Sequence, residues 1–186
     1  MPRTLHLIKH GKPRLIPGIP AHEWELADDA LEHLDGLIAR LSPPPHLIVS
    51  SFEPKAQATA AALAATLGVP HRPMHGLHEQ LRYTAPFHAD PADFEADLRR
   101  FFEHPTQIVS GEESADDART RFANAIQAAL HANPHDTLAV VAHGTVISLL
   151  VAHANRLDPW PLWRNFGLLD AVTVDVPGLR LREPMR

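Results

Sequence analysis

Two histidines stand at matching places in this chain. His10 follows the apolar run Leu5 to Lys9 (LHLIK) and precedes Gly11, and His143 follows Thr137 to Ala142 (TLAVVA) and precedes Gly144. A short apolar run with β-branched content, cut by a glycine, reads as a buried strand running into a loop. In α/β sheets the carboxyl ends of parallel strands are where ligands bind, because the loops leaving there form a crevice. Lys9 precedes His10, and Lys55 falls in the first turn of a helix that follows a third such run, His46 to Ser50 (HLIVS). If these strands are parallel neighbours, two ammonium groups and two imidazoles meet at one sheet edge. That lining suits a compact dianion such as phosphate, and a helix amino end adds to the positive potential. A neutral imidazole can also attack phosphorus, which makes a binding pocket a catalytic one.

The elements that must position these residues follow from period and punctuation. Residues 12–26 carry three prolines and no period, and read as a long loop. Leu31, Leu34, Leu37, Ile38 and Leu41 recur at spacings of three and four, which predicts an amphipathic helix over 28–41. Residues 53–67 form an alanine-rich helix closed by Gly68 at the left-handed cap position. Residues 69–81 are expected to supply a short strand with Glu79 near its end. Asp90 followed by Pro91 predicts a helix to about Glu103, and Ser114 with Asp117 predicts another to about His131. A helix follows His143 to about Asn155, and residues 168–176 and 179–182 read as a hairpin turning at Pro177-Gly178. Strands alternating with helices predict a three-layer α/β/α sandwich with a mostly parallel sheet.

Composition narrows the partners. The 186 residues fit one domain, 1–186, with 45% hydrophobic and 21% charged residues, as in an ordinary globular protein. A net charge of −5 and the absence of a lysine or arginine run argue against a nucleic-acid or membrane-surface binder. With no cysteine there are no disulfides, no thiol catalysis and no cysteine-ligated metal. The first strand begins close to Met1, which leaves no room for a leader, and a cytoplasmic location is expected. His71, His75 and His78 form a loose cluster, and three histidines are enough for a catalytic zinc. The flanking strand and prolines give them no ligand geometry, so no metal site is expected.

Four segments in order, LIKHGKP, SSFEPKAQATA, SGEESADDAR and VVAHGTVISLL, with the ending NFGLLDAVTVDV, resemble the landmarks of the histidine phosphatase superfamily, the phosphoglycerate mutase-like fold. The resemblance implies that His10 is the nucleophile of a phosphohistidine intermediate. It further implies that His143 stabilises the transferring phosphoryl oxygens, that Lys9 and Lys55 hold the phosphate, and that Glu79 is the acid that protonates the leaving oxygen. Arg121 matches a family arginine and is expected to make an architectural ion pair. No cofactor is implied; the partner is a small phosphorylated compound or a phosphoprotein, and the sequence carries no signal for an oligomeric state.

The departures are specific. Lys9 and Lys55 stand where the family carries arginine, replacing a planar fork by a point charge on a flexible stem. Ile16 replaces an asparagine common in the family, and LRYTAPFHA after Glu79 lacks the usual glycine and tryptophan pattern. Residues 80–110 are expected to cover the pocket, with Arg82, Tyr83, Phe87, His88, Arg99 and Arg100 available to an anionic or mixed partner. Hydrolysis of a phosphomonoester is the leading expectation. The alternative is a phosphate-binding or regulatory protein with little turnover, motivated by the loss of both arginines.

Overall fold

A sheet of six strands, in the order β3-β2-β4-β1-β5-β6, divides the molecule. The computed structural model describes residues 3–182. Met1, from which the lack of a leader is expected, lies outside the described residues, as do Pro2 and residues 183–186. The central strands are β1 (Arg3–Lys9) and β4 (Thr137–Ala142), flanked by β2 (Leu47–Ser50) and the short β3 (His71–Pro73) on one side. These four run parallel. On the other side β5 (Ala171–Val176) runs antiparallel to β1 and pairs with β6 (Arg180–Leu181), the expected hairpin.

Alternation along the strands sends residues to two cores, as the two-residue period of a strand requires. Leu5, Leu7, Leu138 and Val140 face one side, where they pack with Phe101, Phe122, Ile126, Val146 and Leu162. The helices on that side are α3 (Pro91–Glu103), α4 (Ala115–Ala132), α5 (Gly144–Asn155) and α6 (Pro159–Asn165). Ile8, Ile48, Ala139 and Val141 face the other side, against α1 (Leu34–Ile38) and the alanine ridge of α2 (Pro54–Leu67). Small side chains on α2 let it lie close to the sheet, and Gly68 ends it at φ 67°. The result is the expected three-layer α/β/α sandwich.

Three elements differ from the sequence expectation. The helix over 28–41 shrinks to Leu34–Ile38. Asp28 and Asp29 are drawn to Arg14 (2.6 Å) and Lys12 (2.7 Å), and residues 27–34 close three-residue turns instead of helical bonds. The strand over 69–81 is only His71–Pro73, because the chain then leaves the sheet toward Arg121. Helix α6 was not expected, although Asp158 caps it through the Trp160 N–H (2.9 Å) with Pro159 at its first position, the same device that opens α3.

The loop before α4 clamps the segment that follows Glu79. Glu112 accepts the backbone N–H groups of Tyr83 and Thr84 (both 2.8 Å), and Glu113 accepts that of Leu81 (3.2 Å). Gly111 permits this approach: its φ is 83°, and a Cβ there would lie 2.3 Å from the Leu81 carbonyl oxygen. Gly111→Ala is therefore expected to lower stability by about 1–3 kcal/mol in urea unfolding. Gly36→Ala, in α1 with nothing within 4 Å of the added carbon, is expected to be neutral or stabilising by up to about 1 kcal/mol.

Candidate active site

The β1–β4 ladder ends with Lys9 opposite Ala142, so the next residue of each strand is a histidine. The His10 N–H donates to the Ala142 carbonyl (3.1 Å), which carries the pairing one step past the strands. The two rings stand edge to face with centroids 5.1 Å apart, both buried. His10 Nδ1 lies 2.7 Å from the Gly11 carbonyl oxygen. A carbonyl can only accept, so that nitrogen carries the proton and Nε2 keeps its lone pair. Burial, with His143 and Lys55 nearby, pushes the His10 pKa well below its ordinary value, against the opposing effect of the Gly11 bond. The neutral ring, with its lone pair on Nε2, is thus the resting form.

His143 is fully buried, and neither ring nitrogen has a hydrogen-bond partner. Its Nε2 lies 3.3 Å from Glu53 Oε1, but not in hydrogen-bond geometry. Burial pushes its pKa well down, and the charges of Lys55, His78 and Arg121 act the same way. An unpaired buried polar group costs about 1–3 kcal/mol. A bound oxyanion would accept from such a ring and remove that cost.

Lys55 is buried at the start of α2, where its ammonium donates to the Ala21 carbonyl oxygen (2.7 Å) and to Glu53 Oε2. Glu53 is the residue that sequence reasoning missed. It occupies the N-cap position of α2 without capping it, and its Oε1 instead accepts the Glu79 N–H (2.8 Å). Its only sequence signal is its place two residues before Lys55, after the strand-end serines. The crevice therefore contains a buried carboxylate as well as cations.

Lys9 goes elsewhere. Its ammonium donates to the Phe166 carbonyl oxygen (2.9 Å) and lies 5.8 Å from the Trp163 ring centroid. Its stem passes Gly144, where a Cβ would stand 3.1 Å from Lys9 Cε. Burial lowers its pKa, opposed by Glu79 and Asp170. Its charge is beside the amino end of α5.

Glu79 reaches the site but is engaged by backbone. Its Oε2 accepts from Thr145 (3.1 Å), and its Oε1 accepts from Val146 (3.2 Å) and Gln80 (3.0 Å), which caps α5. Arg121 fixes this loop by donating to the carbonyl oxygens of Gly76, His78 and Glu79 while pairing with Glu113 at 2.8 Å, an architectural role. The three clustered histidines part company: His71 bonds Ser50 (2.8 Å), His75 packs on Phe52, and His78 bonds the Glu79 carbonyl oxygen (2.9 Å). Among the described residues no three His, Asp or Glu side chains are grouped to hold a metal.

His10, His143, Lys55 and Glu53 line the inner part of a cavity of about 730 Å³, with Trp24, Phe52, Tyr83 and Phe94 among its apolar lining. Arg82 also lines it, stacked 4.9 Å from the Phe94 centroid, and burial lowers its pKa. Of the other residues expected over the pocket, Phe87 meets the Trp24 ring edge to face, and His88 and Arg100 engage Asp97. Arg99 pairs with Glu103.

The sequence matches the profile of the histidine phosphatase superfamily (branch 1) over residues 5–176. The chain belongs to that superfamily. Solved structures share the fold across nearly the whole chain. A mycobacterial glucosyl-3-phosphoglycerate phosphatase superposes with a TM-score of 0.75 at 22% identity, covering 98% of this chain and 97% of that one. The protein YhfR of Bacillus stearothermophilus gives 0.72 at 19% identity, covering 98% and 95%. A variant of Entamoeba histolytica phosphoserine phosphatase, in complex with phosphoserine, gives 0.72 at 18% identity, covering 97% and 95%. No curated protein matches the chain in sequence.

The buried imidazoles make stability depend on pH. Their folded pKa values are depressed below the ordinary 6.5, so the unfolded chain binds more protons below that value. Their contribution is complete above pH 6.5 and is lost as pH falls through the folded values. Urea unfolding between pH 7.5 and 4.5 is expected to show this acid loss, and His143→Asn should make the dependence shallower.

Proposed function

We propose that this superfamily member is a phosphatase that hydrolyses a phosphomonoester through a phosphohistidine on His10. The observation that carries the reading is the pairing of His10, with Nε2 unprotonated, and His143, with both ring nitrogens unpartnered, at the inner end of one cavity. The Nε2 lone pair attacks phosphorus as the ester bond breaks. His143 and Lys55 hold the phosphoryl oxygens as negative charge develops on the leaving atom. Lys9 supports them with its charge from across Gly144. Water then attacks the phosphohistidine and releases inorganic phosphate.

The cavity's size favours a small phosphorylated compound over a phosphoprotein, as do the small substrates named for the glucosyl-3-phosphoglycerate and phosphoserine phosphatases of the same fold. Among the described residues no helix is long and apolar enough to cross a membrane. One observation favours the alternative of phosphate binding with little turnover: Lys55 already has a carboxylate partner in Glu53.

Hydrolysis of p-nitrophenyl phosphate by the wild type and by His10→Ala separates the two. The phosphatase reading expects a drop of about 1,000-fold or more in kcat, together with an acid-labile phosphoryl label on the wild type that the variant does not take up. Phosphate binding by both proteins with equal background rates would instead establish the alternative.

A further inference from the structure

We propose that Glu53, rather than Glu79, is the proton donor to the leaving oxygen and the base for the attacking water; this rests on the phosphatase reading above. Both carboxylates line the cavity, but their surroundings set them to different tasks. Glu79 accepts three backbone N–H groups, two of them from the first turn of α5, and so holds the His143 end of the site in place. Its oxygens are committed to donors that a reaction cycle does not remove. Glu53 is buried, and Oε2 meets a group that the substrate must take over, the Lys55 ammonium, while Oε1 stands 3.3 Å from His143 Nε2, the second such group.

A phosphoryl dianion entering the site takes the Lys55 ammonium from Glu53 and comes between Glu53 and the unpartnered His143 ring. As Lys55 and His143 turn to the phosphoryl oxygens, the carboxylate loses its cation and gains a negative neighbour. Glu53 then takes a proton from solvent as substrate binds. It is left as a carboxylic acid beside the transferring group, where before it was an acceptor. The remaining Glu53 bond, from the Glu79 N–H (2.8 Å), comes from backbone and keeps the group anchored while its other partners change.

The step balances. His10 Nε2 forms a bond to phosphorus, and the P–O ester bond breaks with its electron pair passing to the leaving oxygen. That oxygen receives the Glu53 proton, leaving an alcohol, phosphohistidine and the Glu53 carboxylate. The carboxylate next removes a proton from water as the water oxygen attacks phosphorus, and the P–N pair returns to Nε2. When phosphate departs, Glu53 releases its proton to solvent and pairs again with Lys55. The N-cap placement two residues before the lysine gives both side chains access to the same few ångströms of space.

Leaving-group dependence tests this. p-Nitrophenolate departs without a proton, whereas the alkoxide of glycerol 2-phosphate does not, and kcat/KM reports only the first chemical step. Wild type, Glu53→Gln and Glu79→Gln are compared on both esters. For Glu53→Gln, kcat/KM on glycerol 2-phosphate is expected to fall about 100- to 10,000-fold. On p-nitrophenyl phosphate it should change by less than about 10-fold, with a burst of nitrophenol ahead of a slow steady state because water attack has lost its base. The burst also shows that the variant is folded. Equal losses on the two esters for Glu53→Gln would overturn the assignment, as would an ester-dependent loss in Glu79→Gln. A wild type inert to both esters would overturn the phosphatase reading and this assignment together; wild-type turnover with equal losses overturns the assignment alone.

Discussion

The parallel pairing of β1 with β4 is the constraint on which the site depends. Because Lys9 is the last rung on one strand and Ala142 on the other, the chain cannot place His10 without placing His143 beside it. A slip of one residue would turn the strand's side chains to the opposite faces and separate the rings. The fold resists that slip strongly, since Leu5 and Leu7 belong to one core and Ile8 to the other. Packing energy spread along β1 thus fixes the distance between two catalytic candidates at its end. The two rings are held neutral by the same burial that fixes them.

Around this pair the charges are arranged in pairs. Lys55 is matched by Glu53, Arg121 by Glu113, and the amino end of α5 by Glu79. Burying a cation without a partner is costly, and lysine, with a compact ammonium, is satisfied by one carboxylate and one carbonyl. That is the arrangement at Lys55. The same economy explains Lys9, which rests on a carbonyl oxygen and an aromatic face rather than on the cavity. The guanidinium fork is used where several acceptors must be held at once: Arg121 binds three carbonyl oxygens and a carboxylate, and so fixes the loop that carries Glu79.

The outer part of the cavity is built by other means. Residues 81–84 are tied by their backbone N–H groups to Glu112 and Glu113 on the neighbouring loop. Tyr83 meets His22, and Phe87 meets Trp24, both from the long segment after β1. Two irregular segments therefore support each other through aromatic edges, while the floor stands on strands. A rigid floor with walls made of loops is the usual division between fixed chemistry and variable recognition.

The sequence by itself determined the sheet strands β1, β2 and β4, the ends of α2, α3 and α4, and the two strand-end histidines. Each of these is a local matter of period, cap or glycine. Gly68, Asp90 and Ser114 stop or start helices wherever they occur, so they could be read without neighbours. What only the tertiary structure decided was which groups the charged side chains would meet. Lys9 and Lys55 were both expected at the same sheet edge, yet one finds the carbonyl of Phe166, 157 residues away, and the other a carboxylate two residues back. The Glu79 carboxylate meets the first turn of α5 because that helix begins beside it, and the Glu53 carboxylate meets Lys55 and His143, pairings that no local pattern announces. A charged side chain is long and takes whichever partner the packed chain brings within reach, whereas a strand or a cap is settled by its own few residues.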